Sequence, residues 1–308
     1  MSARVVGVGD ADVDIYLDVD HLPGRDEKEL ARRVELHPGG MVANFLVALA
    51  RLGTPCAFHG PVGEDEYGLL ALAHLRQNGV DTTWALVKPG ERTHFCVVML
   101  DNSGEKALIV APTACLFPRP GDVSEDCLRS ASHLHTTGAD PETAARAIRL
   151  AKTHGASVSI DVEPSAAAQF ARLEPLLADV DIAFVNQRAV HLLGGSDSSE
   201  QCARHLVNRG VGIACITMGE RGAFVANRSS AFHTPAFPVK VVDSTGAGDC
   251  FAAGFVHAYL QRWPLARAAT LASAMGAWCV GQRGGSSHTP TWQEVTEFIE
   301  KRQITNSK

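Results

Sequence analysis

The feature that most constrains the fold is an alternation of short apolar runs with helix-length amphipathic segments over most of the 308 residues. Strand-like runs occupy 4–8, 57–62, 157–162, 182–186 and 212–217, and further strands are expected over 223–226 and 230–242. Helical patterns occupy 42–52, 67–77, 141–153, 199–209, 247–261, 265–280 and 292–301, with a short one at 174–177. Gly53 and Gly79 read as helix stops, and Asp140-Pro141 as a helix start. Strands separated by crossover helices pair in parallel and need cover on both faces. The pattern therefore predicts an α/β fold, a three-layer α/β/α core around a mostly parallel central sheet.

Two regions break the alternation. Residues 14–38 and 93–110 read as short strands with polar turns and little helical period. Asp101-Asn102-Ser103-Gly104 is a hairpin-turn sequence between strands at 95–100 and 106–110. Strands without crossover helices do not belong in a doubly wound sheet, so a small β-sheet standing off the core is expected. No repeat, linker or clean boundary divides the chain, which reads as one domain over 1–308.

The net charge of −6 is mixed along the chain, with no basic stripe. Nucleic acid and anionic membrane are therefore not expected as partners. No apolar run reaches the ~18 residues of a membrane span. Residues 1–7 run straight into a strand and do not read as a signal peptide. Eight cysteines are scattered singly without a Cys-x-x-Cys pair, which argues against zinc and thioredoxin-like sites. Buried free thiols and a reducing, cytoplasmic setting are expected.

The chemistry concentrates in Asp243-Ser244-Thr245-Gly246-Ala247-Gly248-Asp249, which leads into a small-residue helix. A turn at Gly246, Ala247 and Gly248 would aim free N–H groups at one point, at the positive end of the helix dipole. Asp249 follows in the first helical turn. An anion hole beside a carboxylate suits phosphoryl transfer to an alcohol: donors for the moving group, a base for the attacking hydroxyl. A second motif, Gly39-Gly40-Met41-Val42-Ala43-Asn44, reads as a corner where a backbone can approach a polar ligand, or as a strand-to-helix turn capped by Asn44. Asp10, Asp12 and Asp14 would share one face of a continuous strand, compensated by a polyol, a cation or exposure at an edge. His133 and His135 alternate on a strand-like segment and could line a ligand pocket, but a hydrogen-bonded structural role is the expectation for either one.

Both motifs resemble the signatures of the ribokinase-like (pfkB) carbohydrate kinase family, with Ser244 in place of the usual Thr. The resemblance implies a sugar kinase that uses ATP and Mg2+, in which residues 14–38 and 93–110 form a lid over the sugar. It implies Asp249 as base, the 246–248 turn as anion hole, and Asp12, Asp14, Gly39, Gly40 and Asn44 as sugar contacts. Thr217-Met218-Gly219-Glu220-Arg221-Gly222 is similar to the family's turn beneath ATP, which with Asn186 and Thr245 implies a nucleotide site of Asn186, Thr217, Gly219, Gly222 and Thr245. The 265–280 helix would flank the adenine. A loop including Arg283-Gly284-Gly285, Asp243 and Thr245 resembles the family's monovalent-cation site, implying K+. A homodimer through the lid is also implied.

The departures from the family pattern are specific. Met41, Val42 and Leu46 are apolar where a lysine and small residues are usual, and Ala189 stands where a glutamate organises magnesium. Asp161 and Glu163, at the end of a strand, are candidates to supply that charge. The local sequence there is somewhat like ketohexokinases. Three alternatives remain: a nucleoside kinase with Tyr16 as stacking platform; a phosphosugar kinase using Arg25, Lys28, Arg32, Arg33 or Arg92; and a non-catalytic sugar or nucleotide sensor.

Overall fold

Val5 and Val6 are both wholly buried but pack into different cores, and the same alternation runs through every central strand. This period of two is what a sheet covered on both faces requires. The computed structural model describes residues 4–102, 106–193 and 198–305. Its large sheet has the order β14 (Ala231–Thr234), β13 (Ala223–Asn227), β12 (Ile213–Thr217), β11 (Ile182–Asn186), β10 (Ser157–Val162), β9 (His133–Thr137), β1 (Val5–Val8) and β4 (Cys56–His59). All neighbours from β12 to β4 run parallel; β13 and β14 add an antiparallel edge.

Helices Met41–Arg51, Glu66–Gln77, Ala247–Leu260, Leu265–Val280 and Trp292–Thr305 cover one face. Helices Glu125–Arg129, Pro141–Thr153 and Ser199–Asn208, with the short ones over 164–173, cover the other. His133 and His135 lie buried in β9, where Ser157 and Ser159 bond their ring nitrogens and His135 stacks on Phe45 at 3.7 Å. Their role is structural. No helix among the described residues is long and apolar enough to cross a membrane.

A separate four-stranded sheet has the order β3 (Arg33–Gly39), β2 (Asp12–Asp18), β7 (Phe95–Leu100) and β8 (Lys106–Ala111). Two of its pairings are antiparallel, and β2 lies parallel to β7. The expected hairpin joins β7 to β8, but Ser103 and Gly104 of its turn lie outside the described residues. A third sheet of two strands pairs β5 (Pro61–Gly63) with β6 (Leu86–Lys88).

Three expectations are corrected. The strand expected over 230–242 stops at Thr234, because Pro235 and Pro238 cannot continue a ladder. The strand expected over 57–62 is two strands broken at Gly60, where a Cβ would lie 1.9 Å from the Gly9 carbonyl oxygen. The first strand ends at Val8, so Asp10 sits in the break before β2 rather than on a continuous strand with Asp12 and Asp14, although its carboxylate still converges with that of Asp12.

Candidate active site

Gly246 adopts the left-handed conformation (φ 74°) at the N-cap of the Ala247–Leu260 helix. A side chain there would strike the Gly285 backbone, 2.6 Å from its Cα, so two loops meet backbone to backbone. The turn leaves the Gly248 and Asp249 N–H groups without a partner among the described residues, and Ala247 N–H reaches Ser244 O at a long 3.4 Å. Open space lies where a Gly248 side chain would project. Unpaired N–H groups at the start of a fourteen-residue helix are the arrangement in which helices bind anions.

Asp249 is 9% exposed, and Asn44 Nδ2 donates to its Oδ2 at 3.0 Å. Asn44 comes from the opposing Met41–Arg51 helix, so one hydrogen bond joins the two glycine-bearing motifs. Asn44 Oδ1 is buried with no partner. Burial, then the charge of Asp161, pushes the Asp249 carboxyl well above the usual carboxylate range, against the Asn44 bond. Burial and Glu163 raise Asp161 itself to about 8; Glu163 keeps an exposed surface, and partial desolvation and the charge of Asp10 raise it. Asp161, Asn186 and Thr217 stand at the C-terminal ends of neighbouring parallel strands, where open α/β sheets bind ligands. Asn186 Oδ1 accepts Arg188 N–H at 2.9 Å, and Thr217 Oγ1 donates to Val185 O at 3.4 Å. Gly219 (φ 60°) has open space at its Cβ position, whereas Gly222 is required by the Thr234 carbonyl 2.0 Å from its Cβ position. Ala189 is wholly buried in the core, so no acidic group stands there.

The small sheet turns its carboxylates inward. Asp12 and Asp14 lie on the same face of β2, 4% and 5% exposed, against Gly39 of β3. A Cβ on Gly39 would lie 2.3 Å from Asp12 Oδ1 and 2.7 Å from Asp14 Oδ2, so this glycine keeps both oxygens clear. Asp12 Oδ1 is buried without a partner. Burial and Asp12 raise Asp14 to about 8. Gly40 (φ 97°) is the corner into the Met41–Arg51 helix, and Asp10 accepts from Met41 and Val42 N–H at 3.0 and 3.1 Å. Asp10 therefore satisfies a helix start, while its carboxylate lies within 4.8 Å of ligand atoms of Asp12 and His94.

Several residues of the site escaped the sequence analysis. His94 Nδ1 donates to Cys115 O at 3.1 Å while Nε2 meets Asp12 Oδ2 at 3.1 Å. Burial would lower the His94 pKa, but Asp12 prevails and raises it. The alternation His94, Cys96, Val98 is the signal that would have placed His94 and Cys96 on the inner face. Tyr16 is not a stacking platform: it is 1% exposed and donates its hydroxyl to Asp243 Oδ2 at 2.5 Å. Asp243 also accepts from Thr245 N–H and Oγ1 (3.0 and 2.8 Å) and Gly284 N–H (3.1 Å). Burial would raise Asp243, but these donors outweigh it and hold the carboxyl below its ordinary range. Its side chain is thus a clamp within the loop. Lys106 Nζ, from β8, donates to Thr245 Oγ1 at 3.1 Å.

The pfkB family carbohydrate kinase profile matches residues 2–292. The chain is 32% identical over 299 residues to an ATP-dependent ribose-1-phosphate kinase of Halopiger xanaduensis, covering 97% of this chain and 99% of that protein. It is 28% identical to the ribokinase of Haemophilus influenzae, over 97% and 99% of the two chains. An Escherichia coli protein assigned as a ribokinase II, in complex with ATP and Mg2+, superposes with a TM-score of 0.87 at 26% identity, covering 98% and 100%. The sheet order with its separate small sheet is the ribokinase fold, and the chain belongs to the pfkB family of carbohydrate kinases.

Proposed function

We propose that this carbohydrate kinase is one domain with the small sheet as lid, that it transfers the terminal phosphoryl group of ATP to a hydroxyl of an uncharged sugar, and that Asp249 is the base. The observation that carries this reading is the Asp249 carboxylate, buried beside free Gly248 and Asp249 N–H groups and held by Asn44. Asp249 takes the hydroxyl proton as attack proceeds, and the 246–249 turn meets the charge developing on the transferred group. Asn44 keeps Asp249 oriented through Nδ2 and offers Oδ1 to a sugar hydroxyl. Asp12 offers its unpartnered Oδ1 likewise, and Asp14, protonated near neutral pH, both donates and accepts.

Asn186, Thr217, Gly219, Gly222 and Thr245 border the crevice assigned to the nucleotide. The carboxyls of Asp161 and Glu163, near enough for the Glu163 charge to raise Asp161 and without an ion pair among the described residues, fit a hard divalent ion, so these residues would hold Mg2+. Bound there, Mg2+ would neutralise phosphate charge. For K+, the carbonyls of Thr245 and Gly285, which among the described residues accept only from Cys279 Sγ at 3.3 Å, are better candidates than the Asp243 side chain. Equal rates in potassium and in a bulky organic cation would remove it from the scheme. The outer face of the lid carries Val34, Leu36 and Ile109, 61%, 49% and 56% exposed, which supports a homodimer through this sheet. Eight free cysteines, all buried, suit a cytoplasmic setting.

The acceptor is assigned as uncharged because the inner surface is rich in carboxyl groups and its cations are occupied: His94 by Asp12, Lys106 by Thr245 and Asp243, and Arg283 by Asp18 and Glu35. Exposed Arg25, Lys28 and Arg92 make no ion pair among the described residues, whereas Arg32 and Arg33 pair with Asp20 and Glu35. A phosphosugar acceptor is the second reading, favoured by the 32% identity to a ribose-1-phosphate kinase. The buried Tyr16 leaves a nucleoside base no ring to stack on there. ADP release against sugars, sugar phosphates and nucleosides separates these readings. Turnover of the sugar phosphates alone would replace the first by the second, and no turnover of any would leave a sensor.

A further inference from the structure

We propose that Tyr16 and Lys106 are positioning residues that latch the small sheet to the anion-binding turn, so that the turn is held for catalysis only when the sheet is closed. The inference rests on the kinase reading above and goes beyond it. Tyr16 lies two residues beyond Asp14 on the same face of β2, so the strand that faces the sugar site also reaches Asp243. Asp243 Oδ1 fixes Thr245, the residue before the Gly246 N-cap, and Oδ2 fixes Gly284, next to the Gly285 backbone that packs on Gly246. The Tyr16 hydroxyl shares Oδ2 with Gly284. Lys106 closes the other side, with Nζ 3.1 Å from Thr245 Oγ1 and 3.6 Å from Asp243 Oδ1. Arg283, in the adjoining loop, bridges Asp18 of β2 and Glu35 of β3, and His37 meets Ser287 at 3.2 Å.

Every one of these contacts joins the inner face of the small sheet to the two loops that frame the turn. None of them touches the reacting atoms. A hydrogen bond to a buried ionised carboxylate is among the strong ones. Its loss should release the loop from the sheet while leaving the sugar-facing groups in place.

The test compares wild type, Tyr16→Phe, Lys106→Met and Lys106→Arg. It measures sugar phosphorylation, sugar-independent ADP release and thermal stability. Tyr16→Phe should lower kcat by about tenfold or more with the sugar KM within about twofold, and raise the ratio of ADP leak to phosphorylation. Lys106→Met should act in the same direction, and Lys106→Arg should restore much of the loss. Unchanged kcat and leak ratio in both Tyr16→Phe and Lys106→Met overturn the latch, and so does a raised KM with kcat kept. If Tyr16→Phe does not fold, Lys106→Met decides alone, since it leaves the buried ring intact. Failure of the wild type to phosphorylate any sugar would instead refute the kinase reading, before a variant is made.

Discussion

The two sheets solve opposite problems. The large one is buried on both faces, and its strands are mostly apolar apart from the hydrogen-bonded His133, His135 and Ser159 and the polar strand ends at the crevice. The small one buries carboxyl groups on one face and leaves Val34, Leu36 and Ile109 exposed on the other. Hydrophobic burial sets the first in place; hydrogen bonds and ion pairs to two loops hold the second against it. Burial is non-directional and survives small changes, whereas a polar contact is lost with one atom. On the reading proposed above, the core would fix where phosphoryl transfer occurs, and the small sheet would govern what is admitted and when.

The hardest test of this division is Asp249→Asn, which should lower turnover by about 10²–10⁴-fold. Stabilisation by ATP in a thermal-shift assay should persist, because the fold and the turn remain. Near wild-type turnover would remove Asp249 as the base. Next, Phe45→Ala in the core should cost about 3–5 kcal/mol of stability by denaturant titration. Asp14→Asn in the small sheet should instead leave stability at pH 7 intact or higher while raising the sugar KM. The sign follows from the raised pKa. Asp14 is protonated in the folded state up to about 8 but ionised in the unfolded chain above 3.8. Its stabilising contribution is thus complete below the unfolded value and fades as pH climbs toward 8. A loss of stability in Asp14→Asn at pH 7 would contradict that assignment.

A subtler effect concerns pH. The Asp161 charge is the second cause, after burial, of the high Asp249 pKa. Asp161→Asn should shift the acidic limb of kcat/KM to lower pH, visible even if the maximum rate falls. An unmoved limb would mean that another group titrates there. Smallest of all, Leu36→Asp or Ile109→Asp on the outer face should leave the monomer fold intact and dissociate a dimer in sedimentation. A wild type that already sediments as a monomer would withdraw the lid interface.

The same contrast explains what the sequence disclosed. Apolar periodicity is local, so the alternating elements of the core and the turn at 246–248 were legible, and so was the existence of a small sheet. The arrangement of its inner face was not. Asp10, Asp12 and Asp14 are evenly spaced, yet Gly60 packing on the Gly9 carbonyl ends the first strand and turns Asp10 to a helix cap. Tyr16 and Asp243 are 227 positions apart, and Arg283 and Asp18 265 apart; no spacing rule connects them. The overlong strand at 230–242 was a legible miss, since Pro235 and Pro238 were in plain view.

The corner at Gly40 carries one more consequence. A Cβ there would sit 2.8 Å from the Ala11 Cα, so the outgoing and returning chains between the sheets cross with no side chain between them. This pair of crossings is one of the places where the chain joins the small sheet to the core. A bulky substitution at Gly40 would act as a wedge at that joint, changing how quickly substrate enters and product leaves without touching either.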